Sequence, residues 1–323
     1  MKMDVIKISR QRVLAGEPLG QTDALALCEA PLDALCAAAD ELRRHYCGNS
    51  FDLCTIVNGK CGRCSEDCKY CAQSAHYPTQ AEEHPLLDRD ALLRQARDNA
   101  ARGVLRYSIV TSGKRLSDDE VARVCESICA IRENVGIAVC VSFGLLDEAQ
   151  FLRLREAGVS RVHCNLETSR RYFPSVCTTH SYDEKLETLR AAQRAGLSVC
   201  SGGIMGLGEM MEDRIDMALT LRGLGVRSVP VNFLTPIPGT PYAHNAPLSD
   251  AEKRRIVAIY RFLLPDAAIR LAGGRGLFPD RGETCFLGGA NAAISGDMLT
   301  TAGITIETDR ALLAKLGYEV RML

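Results

Sequence analysis

The sequence has no surplus of charge of either sign: 39 Lys and Arg stand against 40 Asp and Glu, a formal net charge of −1. Without a basic or acidic excess there is no electrostatic case for nucleic acid or an anionic membrane as partner. The opening stretch MKMDVIKISRQRV lacks both an apolar segment and a small-residue cleavage site, so it does not read as a secretory leader. No apolar run approaches the length of a membrane span. There is also no internal repeat, low-complexity tract or linker. These absences together lead us to expect a cytoplasmic protein.

Cysteine is what the chain has in quantity: 15 residues, an odd number. In a reducing compartment such thiols are metal ligands or small core residues rather than disulfides. Cys64, Cys68 and Cys71 fall within eight residues, Cys64-Ser-Glu-Asp-Cys68-Lys-Tyr-Cys71, directly after a strand-like segment. This CxxxCxxC spacing is too tight for a disulfide framework and one ligand short of a closed metal site. Three thiolates hold three irons of a [4Fe–4S] cubane and leave the fourth iron open to bind something reactive. Cys61 extends the run to C-x2-C-x3-C-x2-C and offers zinc as an alternative. Paired CxxC zinc sites, however, separate their pairs by roughly 15–20 residues, because the chain between them has to turn. The iron–sulfur reading is therefore preferred.

The chain has 323 residues and a hydrophobic fraction of 46%, ample for one large core and within the range of single α/β barrels. The first 50 or so residues read as helices over 22–29 and 31–46, with Pro31 at a helix start. From Phe51 onward, strand-like runs alternate with amphipathic helices. The strands are expected at 53–58, 106–111, 137–142, 161–167, 198–203, 228–233, 268–272 and 292–295. Capping boxes pair Ser117 with Glu120, Ser181 with Glu184, and Ser249 with Glu252. Gly103 and Gly196 stand where helices should stop. Eight strands alternating with helices predict a parallel (β/α)8 barrel, with an open doubly wound sheet as the alternative. The simplest partition is a helical extension over 1–50 and a barrel over 51–323.

Cys54, Cys140, Cys164 and Cys200 each fall in a different expected strand, and Arg270 falls in another. Alternate strand residues face the interior of a barrel, so several sulfurs facing one interior would make a second metal centre. A buried arginine is costly unless it meets an anion or a metal. Cysteine is also an ordinary small core residue. That reading fits Cys125 and Cys129 on an apolar helix face, and Cys28 and Cys36, better than a ligand role; it leaves Cys47 and Cys285 open.

The CxxxCxxC run resembles the signature of the radical S-adenosylmethionine (SAM) superfamily. CSEDCKYCAQS, HCNLETS, TTHSYDEKLETL, VCSGGIMGLGE, VPVNFLTPIPGTP and IRLAGGR, in this order, resemble the biotin synthase family over about residues 51–318. The resemblance implies a radical SAM (β/α)8 barrel that inserts sulfur into dethiobiotin to give biotin. It implies that Cys64, Cys68 and Cys71 bind the [4Fe–4S] cluster, that Tyr70 lies by the SAM adenine, and that Glu167 meets the SAM ribose. Lys185 would lie near the SAM carboxylate, and Gly202, Gly203 and Ile204 would line SAM. Asn165 and Asn232 would hold the ureido ring of dethiobiotin, to which a carboxamide is matched. A homodimer and a flavodoxin- or ferredoxin-like reductant are further implications. His163 reads as structural, since alternation would point it away from Cys164.

The family's auxiliary cluster, its sulfur donor, is held in the usual [2Fe–2S] form by three cysteines and an arginine. Cys140, Cys200 and Arg270 match three of those positions, but Ser108 stands at the fourth. This departure resembles the branch found in anaerobes, with a larger auxiliary cluster of [4Fe–5S] type. Cys54, Cys140 and Cys200 are its expected ligands, with Arg270 and Cys177 as further candidates. Cys61 and Cys164 have no family role. The alternatives are another radical SAM enzyme of the same barrel type, such as those of hydrogenase-cofactor and pyrrolysine assembly, or a non-catalytic iron–sulfur carrier.

Overall fold

The computed structural model describes residues 2–323. Three helices come first: α1 (Lys2–Leu14), α2 (Gln21–Cys28) and α3 (Leu32–Cys47). The last two match expectation; α1 does not appear in the sequence reading, and its apolar face is weak. The strands that follow are β1 (Ser50–Lys60), β2 (Arg106–Thr111), β3 (Ala138–Ser142), β4 (Val159–His163), β5 (Ser198–Cys200), β6 (Gly203–Met205), β7 (Ser228–Phe233), β8 (Ala268–Leu271), β9 (Ala292–Ile294) and β10 (Glu319–Val320). Between them lie α4 (Arg89–Ala101), α5 (Asp118–Asn134), α6 (Glu148–Ala157), α7 (Tyr182–Arg194), α8 (Met211–Gly223), α9 (Asp250–Leu263), α10 (Glu283–Phe286) and α11 (Ile306–Lys315).

All the strand pairings are parallel, and β9 pairs back onto β1 through Asp52↔Ala292 and Cys54↔Ile294, which closes the sheet. β5 and β6 are two pieces of one stave: both pair with β7, at Cys200↔Ser228 and Gly203↔Val231. The result is an eight-stave barrel ringed by helices, as expected. The short β10 pairs with the start of β1. The strands are buried on both faces, which is why they read as near-continuous apolar runs. The helix signals hold in detail. Ser117, Ser181 and Ser249 each cap a helix: the serine hydroxyl accepts from the N–H of the glutamate three residues on, and the serine N–H donates to that glutamate's carboxylate. Gly103 and Gly196 take left-handed backbone (φ +81° and +78°) just past α4 and α7.

β4 departs from expectation, ending at His163 rather than running to Glu167. Beyond it the chain pairs irregularly. Glu167 N–H donates to the Gly202 carbonyl at 3.1 Å, and Ile204 N–H donates to the Glu167 carbonyl at 2.8 Å. Glu167 itself is left-handed, with φ +70°, a strained backbone for a side chain of this size.

Candidate active site

A cavity of about 400 Å³ occupies the barrel interior and opens at the C-terminal end of the strands. That is the end at which (β/α)8 enzymes place their chemistry. Its lining includes Cys64, Cys68, Cys71, Cys54, Cys140, Cys164, Cys200 and Arg270, so one space joins the loop cysteines to all four cysteines expected on strands. Tyr70, Asn165, Glu167, Lys185, Ile204 and Asn232 also line it.

The loop after β1 is pinned from two sides. Gly113 N–H donates to Cys64 Sγ at 3.2 Å. Asp67 accepts from the backbone N–H of Thr178 (2.8 Å) and Thr179 (3.1 Å) and from the Thr178 hydroxyl. Glu66 accepts from His180 Nδ1 at 2.6 Å and from the Thr179 hydroxyl at 2.8 Å. The segment 177–180 is thus a clamp on the CxxxCxxC loop, a role that reading residues one at a time did not find, although THSY precedes α7 plainly enough. Burial opposes ionisation of Asp67, but the Thr178 hydroxyl and N–H outweigh it and hold the carboxyl well below its usual range.

Cys177 does not line the cavity. Its Sγ lies 3.7 Å from Cys68 Sγ, 3.2 Å from Asp67 Oδ1 and 3.3 Å from His180 Nδ1. The structure places it with the loop cysteines rather than with Cys54, Cys140 and Cys200. The hydrogen bond between the two thiols raises Cys68 and lowers Cys177 to about 4, so the pair is most stable with one proton between them. Cys61 is buried against Glu82 and Glu83 and pairs its backbone with His84, away from the cavity. Among the described residues the one group of metal-ligand atoms within 4.8 Å of one another is Cys68, Cys177 and His180, and Cys61 is not in it.

Glu167 projects into the cavity with Oε2 buried and without a hydrogen-bond partner. Tyr70 lines the same cavity, and burial first, then the Glu167 charge, pushes the phenol well above its usual range. Lys185 has no carboxylate bonded to it among the described residues; its ammonium lies 5.9 Å from the Phe173 ring. Burial lowers its pKa, but Cys164 and Glu167 outweigh that and the net shift is upward. An orphan acceptor and an unmatched cation in one cavity are the features of a site that awaits a polar ligand.

Gly202 and Gly203 do not line the cavity. A Cβ on Gly202 would stand 1.9 Å from the Pro230 carbonyl oxygen, and one on Gly203 2.3 Å from that of Glu167. Their glycines serve the crossing of backbones where the fifth stave is broken, not a ligand surface; of that strip, only Ile204 faces inward. Asn165 Oδ1 accepts from Gly202 N–H at 3.1 Å, which leaves its amide N–H groups free. Asn232 spends both ends on backbone, donating to the Gly203 carbonyl (3.0 Å) and accepting from Gly273 N–H (2.9 Å). It retains one N–H.

The floor of the cavity is ionic. Asp52, fully buried, meets Arg270 at 3.0 Å, Arg106 at 3.2 Å and Arg161 at 3.7 Å. Arg270 also donates to Cys54 Sγ at 3.1 Å and to the Asp52 and Ala293 carbonyls. The anion that a strand arginine requires is therefore first of all Asp52, which the sequence reading passed over. Three guanidiniums gather on Asp52 beneath Cys54, Cys140 and Cys200, and two of them, Arg106 and Arg161, also donate to the main-chain oxygen of Leu323. Burial first drives the Cys54 thiol up to about 12 against the pull of Arg270, and it raises Cys140 against Arg161 and Arg106. At Cys200 burial is outweighed by His163, then Arg270, and the thiol falls to about 6.

His163 contradicts the alternation argument. The last inward pair of β4 is Arg161 and His163, both lining the cavity, and His163 stands opposite Cys200 in the β4–β5 register. Cys164 lies beyond the strand end, where alternation no longer applies, and its nearest charges are Lys185 and Glu167. Ser108, opposite Cys140, lines the same space. Cys285 is wholly buried core, and Cys47 receives a bond from Arg261.

The Radical SAM superfamily signature matches residues 60–221, and that of the Biotin and Thiamin Synthesis associated domain matches residues 230–319. The chain is 61% identical to the biotin synthase of Akkermansia muciniphila, over 96% of this chain and 97% of the relative. It is 57% identical to biotin synthase 2 of Corynebacterium diphtheriae, over 96% and 94%. In fold it is similar to methylornithine synthase (PylB), with a TM-score of 0.84, 20% identity and 97% of each chain covered. It is also similar to the FeFe-hydrogenase maturase HydG of Carboxydothermus hydrogenoformans, with a TM-score of 0.82, 17% identity, and 97% of this chain and 78% of that one covered. At such identities the two structures speak for the barrel alone.

Proposed function

Because the chain belongs to the biotin synthase family of the radical SAM superfamily, we propose that its cavity converts dethiobiotin to biotin with one iron–sulfur cluster at its mouth and another near its floor. The chain is a radical SAM sulfurtransferase, and this assignment extends it to individual residues. The observation that carries it is the single cavity shared by Cys64, Cys68 and Cys71 above and by Cys54, Cys140, Cys200 and Arg270 below.

The residues fit the groups. Backbone N–H to sulfur, as at Cys64, is the bond that stabilises a ligating thiolate. An anionic sulfide cluster suits a floor with three arginines and one aspartate. Bound there, the mouth cluster with SAM supplies hydrogen abstraction from an unactivated carbon, and the floor cluster supplies sulfide. The chain's own work is to bind and to exclude. Glu167, with its orphan oxygen, accepts from the SAM ribose hydroxyls; Tyr70 packs at the adenine; Lys185 pairs with the SAM carboxylate; Ile204 walls the site. Asn165 offers free N–H groups to the ureido carbonyl, and Asn232 keeps one N–H for the same ring. Ile56, Ile294 and Met298 form an apolar wall for the hydrocarbon of dethiobiotin and keep competing hydrogen donors out.

Ser108 in place of a thiolate, with Cys54 opening onto the same space, favours the anaerobe-type branch with a [4Fe–5S]-type cluster over [2Fe–2S]. Cys177, beside Cys68, drops out of its ligand set. We further propose a helical extension over 1–50 on a barrel over 51–323, a homodimer, a flavodoxin- or ferredoxin-like reductant and a cytoplasmic setting. No helix among the described residues is long and apolar enough to cross a membrane. The test is anaerobic reconstitution of the wild type and Cys54→Ala, with iron, sulfide and biotin measured per chain. About eight irons in the wild type, falling to about four in Cys54→Ala with loss of biotin, is the expected result. About six irons in the wild type would restore the [2Fe–2S] form. Unchanged iron and biotin in Cys54→Ala would remove Cys54 from the site.

A further inference from the structure

We propose that His163 is a protein ligand of the floor cluster, supplying an imidazole nitrogen where Ser108 supplies no thiolate. This rests on the two-cluster reading above. The argument begins with register. His163 pairs with Cys200 across the β4–β5 step, and Ser108 pairs with Cys140 across the β2–β3 step. These side chains therefore reach the cavity on neighbouring staves of one barrel interior. His163 and Cys200 stand at paired register positions and both line the cavity, so both offer lone pairs to the same space.

The other donors near this floor are spoken for. Arg270 donates through Nη1 to Cys54 and to the Asp52 and Ala293 carbonyls, while its Nη2 faces the Asp52 carboxylate at 3.0 Å as an ion pair without a hydrogen bond of its own. Arg106 and Arg161 are turned toward Asp52 and the Leu323 carbonyl, and a guanidinium has no lone pair to give while charged. The Ser228 hydroxyl donates to Cys200 Sγ at 3.2 Å and accepts from Arg161 at 3.3 Å. A serine hydroxyl at 108 is a poor iron ligand beside a thiolate. That leaves three cysteines and one imidazole. Histidine nitrogen is an established iron ligand in iron–sulfur centres, where its replacement of thiolate raises the reduction potential. With His163 bound, Arg270 remains the buried counter-cation rather than a ligand.

The experiment is pulsed electron paramagnetic resonance on the full chain carrying Cys64→Ala, Cys68→Ala and Cys71→Ala, so that only the floor cluster contributes. The protein is reconstituted anaerobically with iron and sulfide, reduced by one electron, and prepared with natural and 15N-labelled histidine. The expected result is a strong nitrogen coupling that changes with the histidine label and vanishes in His163→Phe. The labelled protein decides the point even if the phenylalanine variant fails to fold. Iron and sulfide bound, with no histidine coupling, would overturn the inference and leave the two-cluster reading standing. So would a histidine coupling that survives in a folded His163→Phe. No iron beyond adventitious levels would bring down both.

Discussion

Asp52→Asn is the sharpest test of the cavity floor. The substitution keeps the shape of the side chain and removes one charge. In the wild type that charge sits fully buried, 3.0 Å from Arg270, 3.2 Å from Arg106 and 3.7 Å from Arg161. Attraction over such distances is large, but desolvation of all four groups offsets most of it. What the substitution exposes is the cost of leaving buried cations unmatched, about 3–5 kcal/mol. For a chain of this size that corresponds to a fall in Tm of roughly 4–8 °C. The assay is anaerobic thermal unfolding of apoprotein and of reconstituted protein in parallel. In the apoprotein the full loss is expected. In the reconstituted protein the anionic cluster above the floor takes over part of the neutralisation, and the loss shrinks. A second variant, Asp52→Asn with Arg270→Met, removes one of the stranded cations, and the two changes together should cost less than the sum of each alone. An apoprotein penalty below about 1 kcal/mol would refute the reasoning, since it would mean that the arginines find solvent or other anions without Asp52.

Glu167→Gln should weaken SAM binding about tenfold, the scale of one charge-assisted hydrogen bond, with iron content unchanged; equilibrium dialysis under anaerobic conditions reads this, and an unaltered Kd would take Glu167 out of the SAM site. Asp67→Asn should loosen the loop and speed loss of its iron to a chelator. The wild-type carboxyl is held below its ordinary value, so its contribution is complete above the unfolded pKa, about 3.9, and is lost as pH falls from there through the folded value. Iron retention in wild type should therefore decline below about pH 4 with a carboxylate-dependent step that Asp67→Asn lacks, and identical acid profiles would argue against the clamp. Gly202→Ala places a Cβ 1.9 Å from the Pro230 oxygen; a destabilisation of about 3 kcal/mol or more is expected in chemical denaturation, whereas a ligand-facing glycine would lose SAM affinity and keep its stability.

The staves were legible in sequence because each is a short apolar run closed by a capping box or a glycine, and the boxes at Ser117, Ser181 and Ser249 form as written. Alternation, by contrast, can be used only where the strand is known to continue. β4 stops at His163, so counting from Cys164 turned His163 away from a wall that both residues in fact line. The role of Gly202 was misplaced for a related reason: a missing Cβ makes room, but sequence does not say for which neighbour. Asp52 was legible in principle. An acid among Phe51, Leu53 and Cys54, together with arginines on three other strands, asks for an ionic layer; the reading weighed Arg270 alone and looked to a metal for its partner. The clamp at 177–180 depends on contacts across more than a hundred residues of chain, and no local pattern announces it.

The ionic floor has a consequence for traffic. A layer made of Asp52 and three arginines, with Asp52 and Arg270 almost wholly withdrawn from solvent, lies beneath the strand cysteines. On the proposed reading, dethiobiotin that reaches those cysteines from the C-terminal end of the strands must pass the CxxxCxxC loop, and biotin leaving that way passes it again.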